Sequence, residues 1–185
     1  MMTDGKQVPV SFSGLEVDID IVDVSLGNHE QLEPVISKIV CAVLTQQATP
    51  EKAVLEVFVR VVGNSDSQLL NNQFRGKNSP TNVLSFPGFD SNDLAAALVA
   101  SVGGGPPVML GDIVVAAPVV AREAAEQGKP VMDHFCHLIA HGLLHLLGHD
   151  HIEDTQAEKM EAIETVILAG MGISNPYLAE GPNGR

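Results

Sequence analysis

Five of the seven histidines of this chain fall between positions 137 and 151. The core of that segment reads His141-Gly-Leu-Leu-His145-Leu-Leu-Gly148-His149-Asp150-His151. Pro130 suits a helix start, where its missing N–H costs nothing, and Gly148 suits a left-handed stop. The spacing therefore predicts a helix from Pro130 to about Leu147. His141 and His145 are four residues apart, so they sit about 40° apart around the axis and one turn apart along it. Two imidazoles so placed can bind one metal ion. Gly148 turns the chain back, which brings a third nitrogen from His151. His149 is the rival third ligand, and the intervening Gly148 favours His151.

The pattern H-x-x-x-H-x-x-G-x-x-H has the ligand spacing of the metzincin zinc proteases. Three histidine ligands leave one position open for water, the mark of a catalytic rather than a structural zinc. A protease of that class uses a Glu after its first His as general base. Here the residue is Gly142, which moves no proton. A glycine that weakens a helix beside a metal suggests that room is needed there, as for a substrate. His137 lies one turn before His141 and is either a further ligand or a polar neighbour of one. Asp150 is either a group that orients a ligand or accepts a proton, or simply a turn former. His134 and His29 read as ordinary surface residues.

Charge narrows the function. Ten Lys and Arg against 23 Asp and Glu leave a net charge of −13. A generic electrostatic nucleic-acid binder needs clustered cations, and so does a protein held on anionic lipid by charge. The two cysteines, Cys41 and Cys136, are far apart and form no C-x-x-C pair, which fits a reduced cytosolic chain. No apolar run approaches the roughly 20 residues of a spanning helix. Met1 to Val10 has no signal-like core. The expectation is a soluble, cytoplasmic protein without a membrane partner.

Alternation of apolar and polar residues predicts strands at Glu16–Val24, Val54–Val62, Asn82–Phe86 and Val108–Ala117. Helical spacing predicts helices at Glu30–Gln46, Ser65–Phe74 and Val119–Gln127, the second capped by Asn64 or Ser65. Glu153 and Asp154 open a last helix, whose Met160, Ile163, Val166 and Ile167 share one face and which ends near Gly170. The stretch Gly88–Pro107 reads as a solvated loop or a mobile lid, with at most a short helix at Asp93–Ala100. Together these elements predict one α+β or α/β domain over residues 1–178, a small mixed β-sheet with packed helices, and a frayed tail at 179–185.

Between Asp66 and Asp90 there is no acidic residue, yet Arg75 and Lys77 are present. In so acidic a chain this is an island of positive charge, rich in hydrogen-bonding side chains. Arg75 suits bidentate contact to phosphate and stabilisation of phosphoryl-transfer charge. Asp112, after Gly111, is either a strand-start residue or a carboxylate near the site.

The segment His141–His151 resembles the H-G-x-L-H-L-x-G-Y-D-H signature of the YbeY family of bacterial endoribonucleases. Phe74-Arg75, Pro80-Thr-Asn-Val-Leu-Ser-Phe-Pro87, Leu110-Gly-Asp-Ile113, Glu153-Asp154, Met160-Glu161, Glu164 and Asn175-Pro-Tyr177 follow the family in order. The resemblance implies a metal-dependent, single-strand-specific endoribonuclease. It implies roles in maturation of ribosomal RNA, at the 3′ end of the small-subunit RNA, and in ribosome quality control. It implies zinc on His141, His145 and His151 and a functional Arg75. Because the chain is so acidic, its RNA is held by a local groove or presented by a partner such as the ribosome or a small-subunit protein. Two positions depart from the pattern: His149 replaces a Tyr, and Asn82 an Asp. The 88–107 segment is longer than the family's usual connection.

In this reading an ion on three histidines acidifies water and polarises a phosphoryl oxygen, and Arg75 stabilises the equatorial charge. The attacking group is water activated at the ion or the ribose 2′-OH, and the sequence leaves both open. Imidazole ligands also suit nickel, copper or iron. The rival readings are a non-catalytic ribosome-assembly factor braced by its metal, and a metallohydrolase of another substrate such as peptide.

Overall fold

Alternating side chains decide how the strands lie. In the computed structural model, which describes residues 12–151 and 153–178, Leu15–Ile21 forms β1 and Leu55–Val62 forms β2. Along β2 the residues Leu55, Val57, Val59 and Val61 are buried, while Glu56, Phe58 and Arg60 between them are half-buried. Val83–Pro87 forms β3 and Val108–Ala116 forms β4. The sheet order is β1-β2-β4-β3, with β3 antiparallel to β4 and the other neighbours parallel. This is the expected small mixed sheet with packed helices.

Six helices accompany the strands among the described residues. They are α1 (His29–Gln46), α2 (Asn64–Arg75), α3 (Ser91–Val102), α4 (Ala117–Gln127), α5 (Val131–Leu146) and α6 (Asp154–Gly170). The main core lies between one face of the sheet and α1, α5 and α6. Ile36, Ile39, Val59, Ile113, Phe135, Ile139 and Leu143 are all but sealed from solvent there. A smaller cluster of Val62, Leu84 and Val114 lies apart from that core, with Leu70 of α2 and Phe86 packed against it. In α6, Met160 and Ile167 are buried as expected, but Val166 is half exposed and does not join them.

Three local expectations are corrected. Helix α2 begins one residue early, with Gly63 as its N-cap and no side-chain cap bond, so neither Asn64 nor Ser65 caps it. The 88–107 segment is mostly ordered structure: α3 has 12 residues and buries Leu94 and Ser101. Ser101 Oγ accepts from the backbone N–H of Val54 at 2.9 Å, which ties α3 to the start of β2. The short helix expected at Asp93–Ala100 is present and extends to Ser91–Val102, and the loop-like composition of 103–107 masked only its length. Finally, His134 is no surface residue, being only 5 % exposed. His29 is exposed as expected. Met1–Val10, the stretch read for a leader, and the tail at 179–185 lie outside the described residues. No helix among the described residues is long and apolar enough to cross a membrane.

One irregularity sets which side chains face the core. The β2–β4 register shifts between Glu56 and Val57, so Leu110 is an extra residue in β4. Leu110 and Ile113 thereby both enter the main core, although three apart. Gly111 sits at φ +130°, and a Cβ there would meet the carbonyl oxygen of Phe86 at 2.2 Å. Gly111→Ala is therefore expected to destabilise the protein by more than about 2 kcal/mol, since backbone rather than a flexible side chain must move. Urea unfolding checks this, and an unchanged midpoint would show that the bulge carries no such constraint.

Candidate metal centre

Helix α5 delivers the first two histidines from a half-buried face. A Schellman motif ends it: Gly148 N–H donates to the His145 carbonyl and His149 N–H to the Leu144 carbonyl, each at 3.0 Å, with Gly148 at φ +88°. The chain reverses there, as the spacing predicts. One nitrogen from each of His141, His145 and His151 lies within 4.8 Å of the others. The ring centroids are 4.6, 4.9 and 5.4 Å apart.

The hydrogen bonds on the far side of two rings fix which nitrogen faces inward. His141 Nδ1 donates to Glu164 Oε1 at 2.9 Å. His145 Nδ1 donates to the His149 carbonyl at 2.9 Å. Each ring in its neutral form then presents a bare Nε2 lone pair, and these two atoms are 3.1 Å apart. Two lone pairs that face each other repel unless a cation lies between them. Tetrahedral zinc with nitrogens at about 2.0–2.1 Å spaces its ligands by roughly 3.3 Å, so this donor set fits such an ion. Burial, and then the neighbouring His141, pulls His145 below the ordinary histidine range. It is therefore a free base near neutrality, as a ligand must be.

Glu164 is the residue the motif reading did not single out as functional. Its side chain is wholly buried. It accepts from His141, from His137 Nε2 at 2.9 Å and from the Tyr177 hydroxyl. Burial alone would raise its carboxyl, but the three hydrogen bonds outweigh this and hold it at about 2. Burial and the same carboxylate push the Tyr177 hydroxyl up. A signal was present: Glu164 lies four residues after Met160 and three before Ile167, an acid on the apolar stripe of α6. His137 thus sits beside the ligands through Glu164 and outside the three-nitrogen cluster.

Other candidate residues are placed as follows. His149 turns away from the cluster and donates from Nε2 to Gln47 Oε1 at 2.6 Å. Arg75, at the end of α2, shares a cavity of about 430 Å³ with Ser85, His145, Asp150 and His151. Arg75 is exposed and makes no ion pair among the described residues. Asp150 is exposed and accepts from the His151 backbone N–H at 2.7 Å. Asp112 is elsewhere, in a separate concavity with Phe58, Arg60, Phe74 and Phe86, because the bulge at Leu110 turns it away from α5. The space at Gly142 is not open to substrate. A Cβ there would come within 3.0 Å of Ile113 Cγ2 and Ser85 Oγ, so the glycine lets α5 lie close on the sheet.

Two outcomes are expected. Gly142→Glu, which restores the metzincin residue, is expected to create no peptidase and to destabilise the fold by about 3 kcal/mol or more, through overpacking and a buried charge. Urea unfolding and a peptide hydrolysis assay check both points. The depressed Glu164 carboxyl contributes stability that is complete above the ordinary carboxylate range and is lost as pH falls from about 4.5 toward about 2. The urea midpoint of metal-free protein is expected to fall over that interval, and Glu164→Gln to flatten the fall. Identical pH profiles would contradict this role.

A family model described as Endoribonuclease YbeY matches residues 18–172. The Endoribonuclease YbeY of Methylococcus capsulatus is 49 % identical over 134 residues, which cover 72 % of this chain and 82 % of the relative. That of Halorhodospira halophila is 52 % identical over 122 residues, covering 66 % and 74 %. That of Laribacter hongkongensis is 53 % identical over 125 residues, covering 68 % and 70 %. The solution structure of TM1509 from Thermotoga maritima is similar with a TM-score of 0.52 and 26 % identity, over 92 % of this chain and all of that one. The likeness spans the bulged strand, the histidine helix and α6, and the chain belongs to the YbeY family.

Proposed function

We propose that this protein is a metal-dependent endoribonuclease that cleaves single-stranded RNA in ribosomal RNA maturation, at the small-subunit 3′ end, and in ribosome quality control. One observation carries the reading: three histidine nitrogens within 4.8 Å of one another adjoin a cavity lined by Arg75, which has no ion pair among the described residues. The relatives named Endoribonuclease YbeY support the same activity.

His141, His145 and His151 hold one zinc ion per chain, and another divalent transition metal suits the same donors. When bound, the ion supplies Lewis-acid chemistry and a lowered water pKa. The rest falls to the chain. Glu164 and the His149 carbonyl keep the two helical imidazoles in the tautomer that frees Nε2. Arg75 binds the scissile phosphate across the shared cavity and stabilises charge on its equatorial oxygens. Asp150 on the rim and His137 behind His141 are positioned for proton transfer or support. Asp112, facing a different concavity, takes no part in this chemistry.

A net charge of −13 means that the protein does not gather RNA by charge alone. The ribosome or a small-subunit protein presents the substrate, in the cytoplasm. Residues 1–178 act as one catalytic domain, with 179–185 as its tail. Gly142, packed against Ile113 and Ser85, leaves a peptidase without its base.

Arg75→Ala is expected to lower cleavage of single-stranded RNA by at least 100-fold while metal content stays at one per chain. His145→Ala is expected to lose both metal and cleavage, and chelation to abolish cleavage of the wild type. Metal analysis beside an RNA cleavage assay reads all three. An Arg75→Ala enzyme that cuts normally, or one that loses its metal, would refute the role given to Arg75. Wild-type protein that is metal-loaded and cuts no RNA would favour the non-catalytic assembly factor.

A further inference from the structure

A second concavity, of about 490 Å³, also reaches His151 but differs in character from the Arg75 cavity. It runs between α4, α5, α6 and the segment at Pro176. Its apolar walls include Val83, Leu138 and Met160. Its polar wall is a chain of fixed groups on Glu123. Glu123 Oε2 accepts from His134 Nε2 at 2.9 Å and from Asn82 Nδ2 at 3.0 Å. Asn82 Oδ1 is taken by the Val83 backbone N–H at 2.7 Å, so its amide cannot turn round. No hydrogen bond reaches Glu123 Oε1 among the described residues.

The chemistry of this cavity is wrong for phosphate. Glu123, Glu161 and Glu164 all line it. Its cation, Lys129, is tied to the Pro176 carbonyl and to Gln127 Oε1, at 2.5 and 2.8 Å. The volume lies within the roughly 300–1,000 Å³ of small-molecule sites. Apolar walls with one free, oriented carboxylate oxygen suit a flat group with N–H donors on its edge. Unstacked bases of single-stranded RNA present such an edge. Guanine offers two adjacent donors, N1–H and N2–H₂, with no acceptor between them. In uracil the single donor, N3–H, is flanked by carbonyl oxygens that a carboxylate repels.

We propose that this cavity receives the unstacked base beside the scissile phosphate, and that Glu123 selects guanine there. The inference rests on the RNA-cleavage reading. It gives the strand a path: phosphate toward Arg75, sugar over the three histidines, base into the Glu123 cavity. Asn82 and His134 are positioning residues, which hold Glu123 so that its free oxygen is available to the ligand.

The test is fluorescence anisotropy of zinc-loaded protein with short 2′-O-methyl phosphorothioate oligonucleotides, resistant to cleavage and differing in one base. Wild type is expected to bind the guanine form about tenfold tighter than the uracil form, the discrimination of one good base contact. Glu123→Gln is expected to bind all four alike. Ala157→Phe, which adds bulk to the α6 wall of the cavity and leaves Glu123 in place, is expected to lose the guanine preference as well, with zinc content and circular dichroism showing that the centre and fold are retained. Equal binding of the four bases by wild type overturns the proposal, and so does a guanine preference that survives in either folded variant. Cleavage of the matching RNAs is measured in parallel. Cleavage without base preference leaves the nuclease reading and removes the base pocket. Guanine-selective binding without cleavage leaves the pocket and removes the nuclease reading.

Discussion

A carboxylate without solvent contact, on Glu164, is the constraint on which the centre depends. An isolated buried charge of this kind costs far more than a protein of this size can spare, so it persists only with its donors in place. Here the donors are His137, His141 and Tyr177, drawn from α5 and from the segment after α6. The same bonds that make the burial tolerable fix the His141 ring and its tautomer. Stability and site geometry are therefore one arrangement. Removal of the carboxylate would leave two half-buried imidazoles without their partner.

The second fixed point is the turn after α5. Its Schellman geometry brings the His149 carbonyl back onto His145 and sends the His149 side chain to Gln47, at the end of α1. Thus His149, the sequence rival for third ligand, anchors the loop that carries the actual candidate. Two cavities meet beside this loop. One holds an exposed arginine, the other carboxylates and apolar walls. An exposed arginine in one and a carboxylate set among apolar walls in the other fit the two halves of a nucleotide, a local arrangement by which a chain of charge −13 can still engage RNA.

Much of this was legible in the residues. The i, i+4 histidines and the glycine that follows them gave the helix, the turn and the convergent nitrogens, because these features are local and periodic. Strand alternation gave the sheet members but not their order, since pairing is a tertiary choice. The bulge at Leu110 was hidden, and with it the direction of Asp112. His134 looked polar and exposed, yet its partner Glu123 is 11 positions away on another helix, and no local pattern reveals such a pair. Gly142 was read as room for substrate; it is room for Ile113 and Ser85. Helix α3 was legible only as a short helix at Asp93–Ala100, because the glycines and prolines that follow it read as loop.

Anomalous diffraction at the zinc edge, on crystals of freshly purified protein, tests the centre most directly. A single peak bound by His141, His145 and His151 at about 2.0–2.1 Å is expected, with a non-protein group completing the coordination. A peak closed by a fourth protein ligand, or no peak between these three rings, would contradict it.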